Sequence, residues 1–292
     1  MIDFIKLNKR LTREEVEQLK NKVDFYGSFI DATGEIISMS PNGKRVLPHL
    51  LAWHKNMKIK LYPNGWLEVS GSLHKLFNDG KHNFNQFTKS DLIETVNSLC
   101  PVLGISPWEF KVSSIEFGVN IKPPLKSEYI INNALLYKGR VFETKFHSDE
   151  GHYKEVKLTE YSVKIYDKRL HYVSQGYDIS DEMLRFELKY NKMRRVNSFG
   201  IYTLEDLKEN MERLIEPLLN AWGHVLLFDP AIKHEEIRLK YSNIYFWLSL
   251  MEKSRRSYLY ELKKLGRQTK VSRFDTQVQV KDIMSNTLND LL

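Results

Sequence analysis

Apolar and polar residues alternate with period two along several short stretches of this chain, and with a helical period along others. In residues 113–121, Ile115, Phe117, Val119 and Ile121 share one parity, while Glu116, Gly118 and Asn120 share the other. In residues 161–168, Val163 and Ile165 oppose Ser162, Lys164, Tyr166 and Lys168; in residues 183–191, Leu184, Phe186 and Leu188 oppose Arg185, Glu187 and Lys189. Such alternation predicts half-buried strands. Further strands are expected at residues 58–61 and 66–70, joined by the turn-forming Pro63-Asn64-Gly65, and near residues 140–145. The polar segment 147–154 reads as a loop.

Helical spacing predicts the remaining elements. Thr12 with Glu15 forms a capping-box signature for a helix to about residue 22. Thr88 or Ser90 can cap a helix through Leu99, with Pro101 and Gly104 expected to end it. Further helices are expected at residues 127–137, at 203–222 with a kink or stop at Pro217, at 244–265, and at 282–291. The pattern describes an α+β chain: an antiparallel central sheet with helices packed on one face over residues 1–230, then a basic helical C-terminal region over 231–292.

If the three alternating strands are neighbours, one sheet face carries Glu116, Asn120, Tyr166, Lys168, Arg185 and Glu187. Paired carboxylates hold hard divalent cations such as Mg²⁺ or Mn²⁺, which polarise phosphate oxygens. A tyrosine can attack phosphorus and store the cleaved bond as a phosphotyrosine. Nearby Lys168 or Arg185 favours the ionised phenol, whose ordinary pKa is about 10. An ordinary solvated sheet face has the same alternation and the same cross-strand charge pairs, so spacing by itself leaves both readings open. Asp167 falls on the other parity, at a strand end where it can orient backbone groups.

Composition narrows the setting. The 292 residues are 42% hydrophobic and 28% charged, ordinary for a globular protein. Cys100 is the lone cysteine, which excludes an internal disulfide and a cysteine-rich metal site. No run of about 18 apolar residues suggests a membrane span, and the opening residues lack a signal-peptide core, so a cytoplasmic setting is expected. The net charge of +7 is concentrated rather than spread. Lys253, Arg255, Arg256, Lys263, Lys264, Arg267, Lys270 and Arg273 face only Glu261 within residues 253–273. That stretch suits phosphate contacts, with Tyr258 and Tyr260 as candidates for base stacking. Equally, it can be the solvated side of a helix whose Phe246, Trp247, Leu250, Met251, Leu259, Leu262 and Leu265 pack inward.

Four segments, taken in order, resemble rolling-circle replication initiator endonucleases of filamentous phages. Val69-Ser70-Gly71-Ser72-Leu73-His74-Lys75-Leu76 followed by Gly80-Lys81-His82-Asn83-Phe84 resembles that family's Gly-Ser/Asn and Gly-His-Asn elements, with Lys81 interrupting the second. Residues 114–121 resemble the strand that usually carries Arg-x-Asp, where this chain has Ser114 and Glu116. Tyr166-Asp167-Lys168 resembles the Tyr-x-Lys strand and Arg185-Phe186-Glu187 the Arg-x-Glu strand, elements shared with Gram-positive plasmid initiators.

The resemblance spans about residues 66–191 and implies a nickase-like α+β fold in a phage or plasmid replication enzyme. Such an enzyme, a hydrolase and transferase in one, is metal-dependent. It cuts one strand of origin DNA, stays joined to the 5′ end through tyrosine, later rejoins the strand, and leaves a 3′-OH for a host polymerase and helicase. Carried onto this sequence, it implies Tyr166 as nucleophile with Tyr190 as second candidate, and Lys168 and Arg185 as phosphate-side helpers. It also implies Glu116 and Glu187 as metal ligands, with His74 and His82 as further candidates. The chain departs from the wider nickase class in having no His-hydrophobic-His pair. A DNA-binding regulator on the same fold, or a metal nuclease that activates water, are the other functions this pattern fits.

Overall fold

The computed structural model describes residues 1–27, 49–144, 153–229, 232, 234–271 and 275–292, with backbone only at 269–271. Its strands are β1 (Ile2–Arg10), β2 (Tyr26–Gly27), β3 (Leu50–His54), β4 (Met57–Leu61), β5 (Trp66–Ser72), β6 (Lys111–Ile121) and β7 (Ala134–Tyr137). They continue as β8 (Arg140–Val141), β9 (Glu143–Thr144), β10 (Tyr153–Lys157), β11 (Tyr161–Asp167), β12 (Leu184–Tyr190) and β13 (Val225–Leu227). Ten of these form one sheet in the order β2-β3-β4-β5-β1-β6-β12-β11-β10-β9, and β13-β7-β8 form a small second sheet. The fold is α+β, with a large antiparallel sheet, helices, and a helical C-terminal part, as the alternation predicts.

Two compact units are recognisable. The first comprises Met1–Phe117, Lys189–Leu214 and Leu291–Leu292. Here β1 pairs antiparallel with β5 on one side and β6 on the other. Ile5, Leu7, Ile59, Leu67 and Val69 turn inward and are fully buried, together with Leu92, Val96 and Leu99 of helix Lys89–Leu103. Thr12 and Thr88 each form a complete capping box, which satisfies backbone donors left open at a helix start. Pro101 does not end its helix: the chain continues two residues further, and Gly104 closes it in the left-handed region at φ +67°.

The second unit comprises Gly118–Leu188 and Ile215–Asp290. Its C-terminal helices gather around Leu136, Leu226, Phe228, Tyr241, Trp247, Tyr258 and Leu265. The Trp247 indole donates to the Tyr241 carbonyl at 2.8 Å, so the largest ring of this cluster also has its polar atom satisfied.

Several boundaries differ from the sequence expectation for identifiable reasons. The segment 127–137 splits into helix Ser127–Asn133 and strand β7, because Leu136 and Tyr137 pair with Leu226 and Val225 of β13. Strand β10 begins inside the expected loop, at Tyr153, and pairs along β11; Lys145 and residues 147–152 lie outside the described residues. Strand β11 ends at Asp167, which caps helix Lys168–Val173 by accepting from the Leu170 amide at 2.9 Å. Lys168 is therefore the first residue of a helix rather than the last of a strand.

The 203–222 segment runs as helix Leu204–Asn210, a 3₁₀ turn and helix Ile215–Trp222, with Pro217 near the start of the last piece. The expected helix 244–265 breaks at Ser254, whose extended backbone and hydroxyl cap helix Arg255–Val271 by accepting from the Ser257 amide. The final helix is longer than expected, Thr276–Asp290. The N-terminal strand β1, the partner of both β5 and β6, was not expected from the sequence pattern.

Candidate active site

Alternation along β6, β11 and β12 sends the chemistry-bearing side chains to one side and the apolar ones to the core. Val163, Ile165, Phe186 and Leu188 are all but fully buried. On the opposite parity of β12, Glu187 is 1% exposed and carries several partners. The Lys164 ammonium donates to its Oε1 at 2.9 Å, and Arg185 Nε donates to its Oε2 at 2.5 Å. The Tyr166 hydroxyl lies 3.5 Å from the same Oε2, and the Lys168 ammonium lies 3.3 Å from the Tyr166 hydroxyl. Arg185 also donates to the Asn120 side-chain carbonyl at 2.9 Å.

The Tyr166 phenol thus stands between a buried carboxylate and a buried ammonium. Lys168 lies over two rings, 5.5 Å from the centre of Tyr166 and 5.2 Å from that of Tyr172, which fixes its head group by packing as well as by charge. Gly118 permits the close approach of β12. A Cβ at that position would meet the Phe186 carbonyl and lie 2.6 Å from the Cβ of Glu187, displacing the carboxylate the cluster depends on.

Glu116, 7% exposed, is joined by Lys189 at 3.4 Å. Asp3, which the sequence pattern missed, is 6% exposed. The Ser72 hydroxyl donates to one oxygen of Asp3, and the Asn83 amide donates to the other at 2.5 Å. Ser72 also accepts from the Lys75 amide, so a single hydroxyl caps a helix and holds Asp3. The Gly-Ser and Lys-His-Asn elements, separated in sequence, therefore meet on one carboxylate. Gly71 is required there, since a Cβ would lie 2.7 Å from the Asn56 carbonyl.

A bulge explains why Asp3 was missed. Ile2 pairs with Phe117 and Ile5 with Ile115, so two residues of β1, Asp3 and Phe4, oppose the single Glu116. The extra residue re-aims Asp3, breaking the parity by which it would be recognised.

Among the described residues, Asp3, Glu116 and Glu187 form a group whose ligand oxygens lie within 4.8 Å of one another, an arrangement that could hold a metal ion. An all-carboxylate donor set fits a hard divalent cation of the Mg²⁺ or Mn²⁺ kind. Neither candidate histidine belongs to this group. His74, 2% exposed, bonds to the Asn85 side chain at 2.8 Å and stacks on Phe87. His82 stacks on Phe84; burial and the adjacent Lys81 and Lys75 lower its pKa, which keeps the ring neutral near pH 7. Burial raises the pKa of the Cys100 thiol to about 11, so it remains protonated.

Tyr190 is not brought to the carboxylates. It shares the parity of Phe186 and Leu188, is 4% exposed, and stacks on the core ring of Phe117 at 5.9 Å. Tyr258 is likewise removed from the surface, packed against Trp247 at 5.6 Å, whereas Tyr260 stays 67% exposed. Lys253, Arg255, Arg256, Lys263, Lys264 and Arg267 are all exposed. The Lys270 side chain and Arg273 lie outside the described residues. No helix among the described residues is long and apolar enough to cross a membrane.

No family model matches the chain, and no curated protein matches it in sequence. Among solved structures, the chain is similar to a rolling circle replication initiator protein from Geobacillus stearothermophilus, at 10% identity and a TM-score of 0.45. That alignment covers 82% of this chain and 90% of the other.

Proposed function

We propose that this chain is a metal-dependent DNA strand-nicking and joining enzyme of the rolling-circle initiator type, with Tyr166 as its nucleophile. The observation that carries this reading is the Tyr166 hydroxyl between Glu187 at 3.5 Å and Lys168 at 3.3 Å on the polar side of β11 and β12. The ordered resemblance of four segments to initiator endonucleases supports it.

In the proposed reaction the Tyr166 phenol gives up its proton towards Glu187, to which its hydroxyl donates, and Lys168 favours the phenolate by its positive charge. The phenolic oxygen forms a bond to phosphorus while the bond from phosphorus to the 3′ oxygen breaks. The proton lost by the phenol is balanced by one taken up at the departing oxygen, giving a free 3′-OH and a 5′-phosphotyrosine. Rejoining is the reverse, so the bond energy is conserved without a nucleotide cofactor. Asp3, Glu116 and Glu187 would hold Mg²⁺ or Mn²⁺. Such a cation would supply positive charge to offset that developing on the phosphate. Arg185, engaged by Glu187 and Asn120, serves to position Glu187.

The test is incubation of the full chain with Mn²⁺ and end-labelled single-stranded origin DNA, resolved on a denaturing gel. A protein–DNA adduct is expected, and Tyr166→Phe should abolish it. Cleavage without adduct would favour a water-activating metal nuclease, and binding without cleavage a DNA-binding regulator. An adduct that persists in Tyr166→Phe overturns the nucleophile assignment.

A further inference from the structure

The register of the first unit builds a second polar surface, on the sheet side opposite its buried apolar residues. Trp53 of β3 pairs with Lys58 of β4, Lys58 with Ser70 of β5, and Ser70 with Lys6 of β1. One step along, Lys60 pairs with Glu68, and Glu68 with Asn8. At the far end Arg10 pairs with Trp66. Residues directly opposite each other share a face, so these rows put Lys6, Lys58, Lys60 and Arg10 on one face with two indoles.

Their partners on the other parity, Ile5, Leu7, Ile59 and Val69, are fully buried. Trp53 is 52% exposed and Trp66 37%. With strands about 4.8 Å apart, the row from Trp53 to Lys6 extends ~14 Å.

The charges on this face are unbalanced. Glu68 is the carboxylate that these rows contain, and it bonds to Lys6 at 3.2 Å. Burial, together with the nearby Lys58 and Lys6, lowers the Lys60 pKa despite the pull of Glu68. The Lys58 ammonium rests 5.6 Å from the Trp53 ring centre. A surface that crowds cations and leaves flat aromatic rings exposed among them matches a ligand carrying both phosphates and accessible base faces. Duplex DNA hides its base faces, and an acidic peptide offers none. Single-stranded nucleic acid supplies both.

We propose that the polar face of β3, β4, β5 and β1 is a platform for single-stranded DNA, with Lys58, Lys60 and Lys6 meeting phosphates and Trp53 and Trp66 stacking on bases. The choice of DNA as occupant rests on the function proposed above; the platform itself rests on register, exposure and charge.

The experiment is fluorescence anisotropy of a labelled 20-nucleotide single strand of mixed sequence, in EDTA so that no cleavage intervenes, at several NaCl concentrations. Full-length Trp53→Ala should bind roughly 5- to 150-fold more weakly, the range of one lost base stack. Lys58→Ala/Lys60→Ala should lower the slope of log affinity against log salt by about 1.4, at ~0.7 per phosphate contact. Both variants carry surface changes, and circular dichroism with urea unfolding verifies that they fold. Unchanged affinity and slope in the folded variants overturn the platform, as does tighter wild-type binding of an equal-length duplex or of polyglutamate. Trp53-dependent binding in a chain that never forms a tyrosyl adduct sustains the platform and removes only the nicking reading. Adduct formation with binding indifferent to Trp53, Lys58 and Lys60 does the reverse.

Discussion

Glu187 and Lys263 both have ionisable side chains, yet their surroundings share almost nothing. Glu187 is 1% exposed and held by Lys164, Arg185 and the Tyr166 hydroxyl. Lys263 is exposed on helix Arg255–Val271, beside an equally exposed Lys264. A buried charge must be matched by partners or it costs several kcal/mol. An exposed one is stabilised by water, and its neighbours contribute little. The first region therefore ties its charges to one geometry, whereas the second presents charge without fixing it. For a reaction at phosphorus the first kind is needed; for following a flexible polyanion the second suffices.

The largest effect that sharpens this contrast is expected at Glu187. Replacing it by Gln leaves Lys164 and Arg185 facing a neutral amide in a buried site. Breaking a buried ion pair in this way typically costs ~3–5 kcal/mol. Urea unfolding should therefore shift markedly to lower denaturant, and Mn²⁺-dependent cleavage should be lost under conditions where the variant remains folded. A Glu187→Gln protein as stable as the parent would show that the cluster is hydrated like the C-terminal helix, and the contrast would collapse.

A smaller effect is expected at Asn83, which touches Asp3 without belonging to the carboxylate group. Side chains that orient ligands commonly tune metal affinity by about 10- to 100-fold. Asn83→Ala should weaken Mn²⁺ binding by that amount, read by calorimetry on the DNA-free protein. It should also lower stability by ~1.5–3 kcal/mol, the worth of a hydrogen bond to a charged group. Unchanged Mn²⁺ affinity with lowered stability would leave Asn83 a purely structural donor.

Residues that obey one local rule were legible in the sequence. The alternation of β6, β11 and β12 brought Glu116, Tyr166, Arg185 and Glu187 to one polar side, and the Thr12–Glu15 capping box could be read directly. Asp3 could not be read this way, because the bulge in β1 suspends alternation where the carboxylate must turn. Strand β7 carries Ala-Leu-Leu-Tyr, which suits a helix locally; pairing with β13, nearly ninety residues later, decides otherwise. The break at Ser254 had a signal in Ser-x-x-Ser, outweighed by the apolar run around it. Tyr190 and Tyr258 illustrate the remaining difficulty. The resemblance suggested chemistry for Tyr190 and the basic stretch suggested stacking for Tyr258, whereas the face of the strand or helix put both in the core.

The smallest effect on stability is expected on the exposed helix, and it tests the other half of the contrast. Lys263→Gln, Lys264→Gln and Arg267→Gln together remove three exposed charges from helix Arg255–Val271. Surface substitutions of this kind usually change stability by no more than about 0.5 kcal/mol each. Thermal unfolding should thus be nearly unaltered. If these side chains track a single strand, the salt slope of DNA binding should fall by about 2, at ~0.7 per phosphate-facing charge. A slope equal to that of the parent would make this helix a solvated surface and leave phosphate contacts to the sheet face. A large loss of stability would mean that its cations are structural, as those around Glu187 are, and the distinction between the two regions would fail from the opposite side.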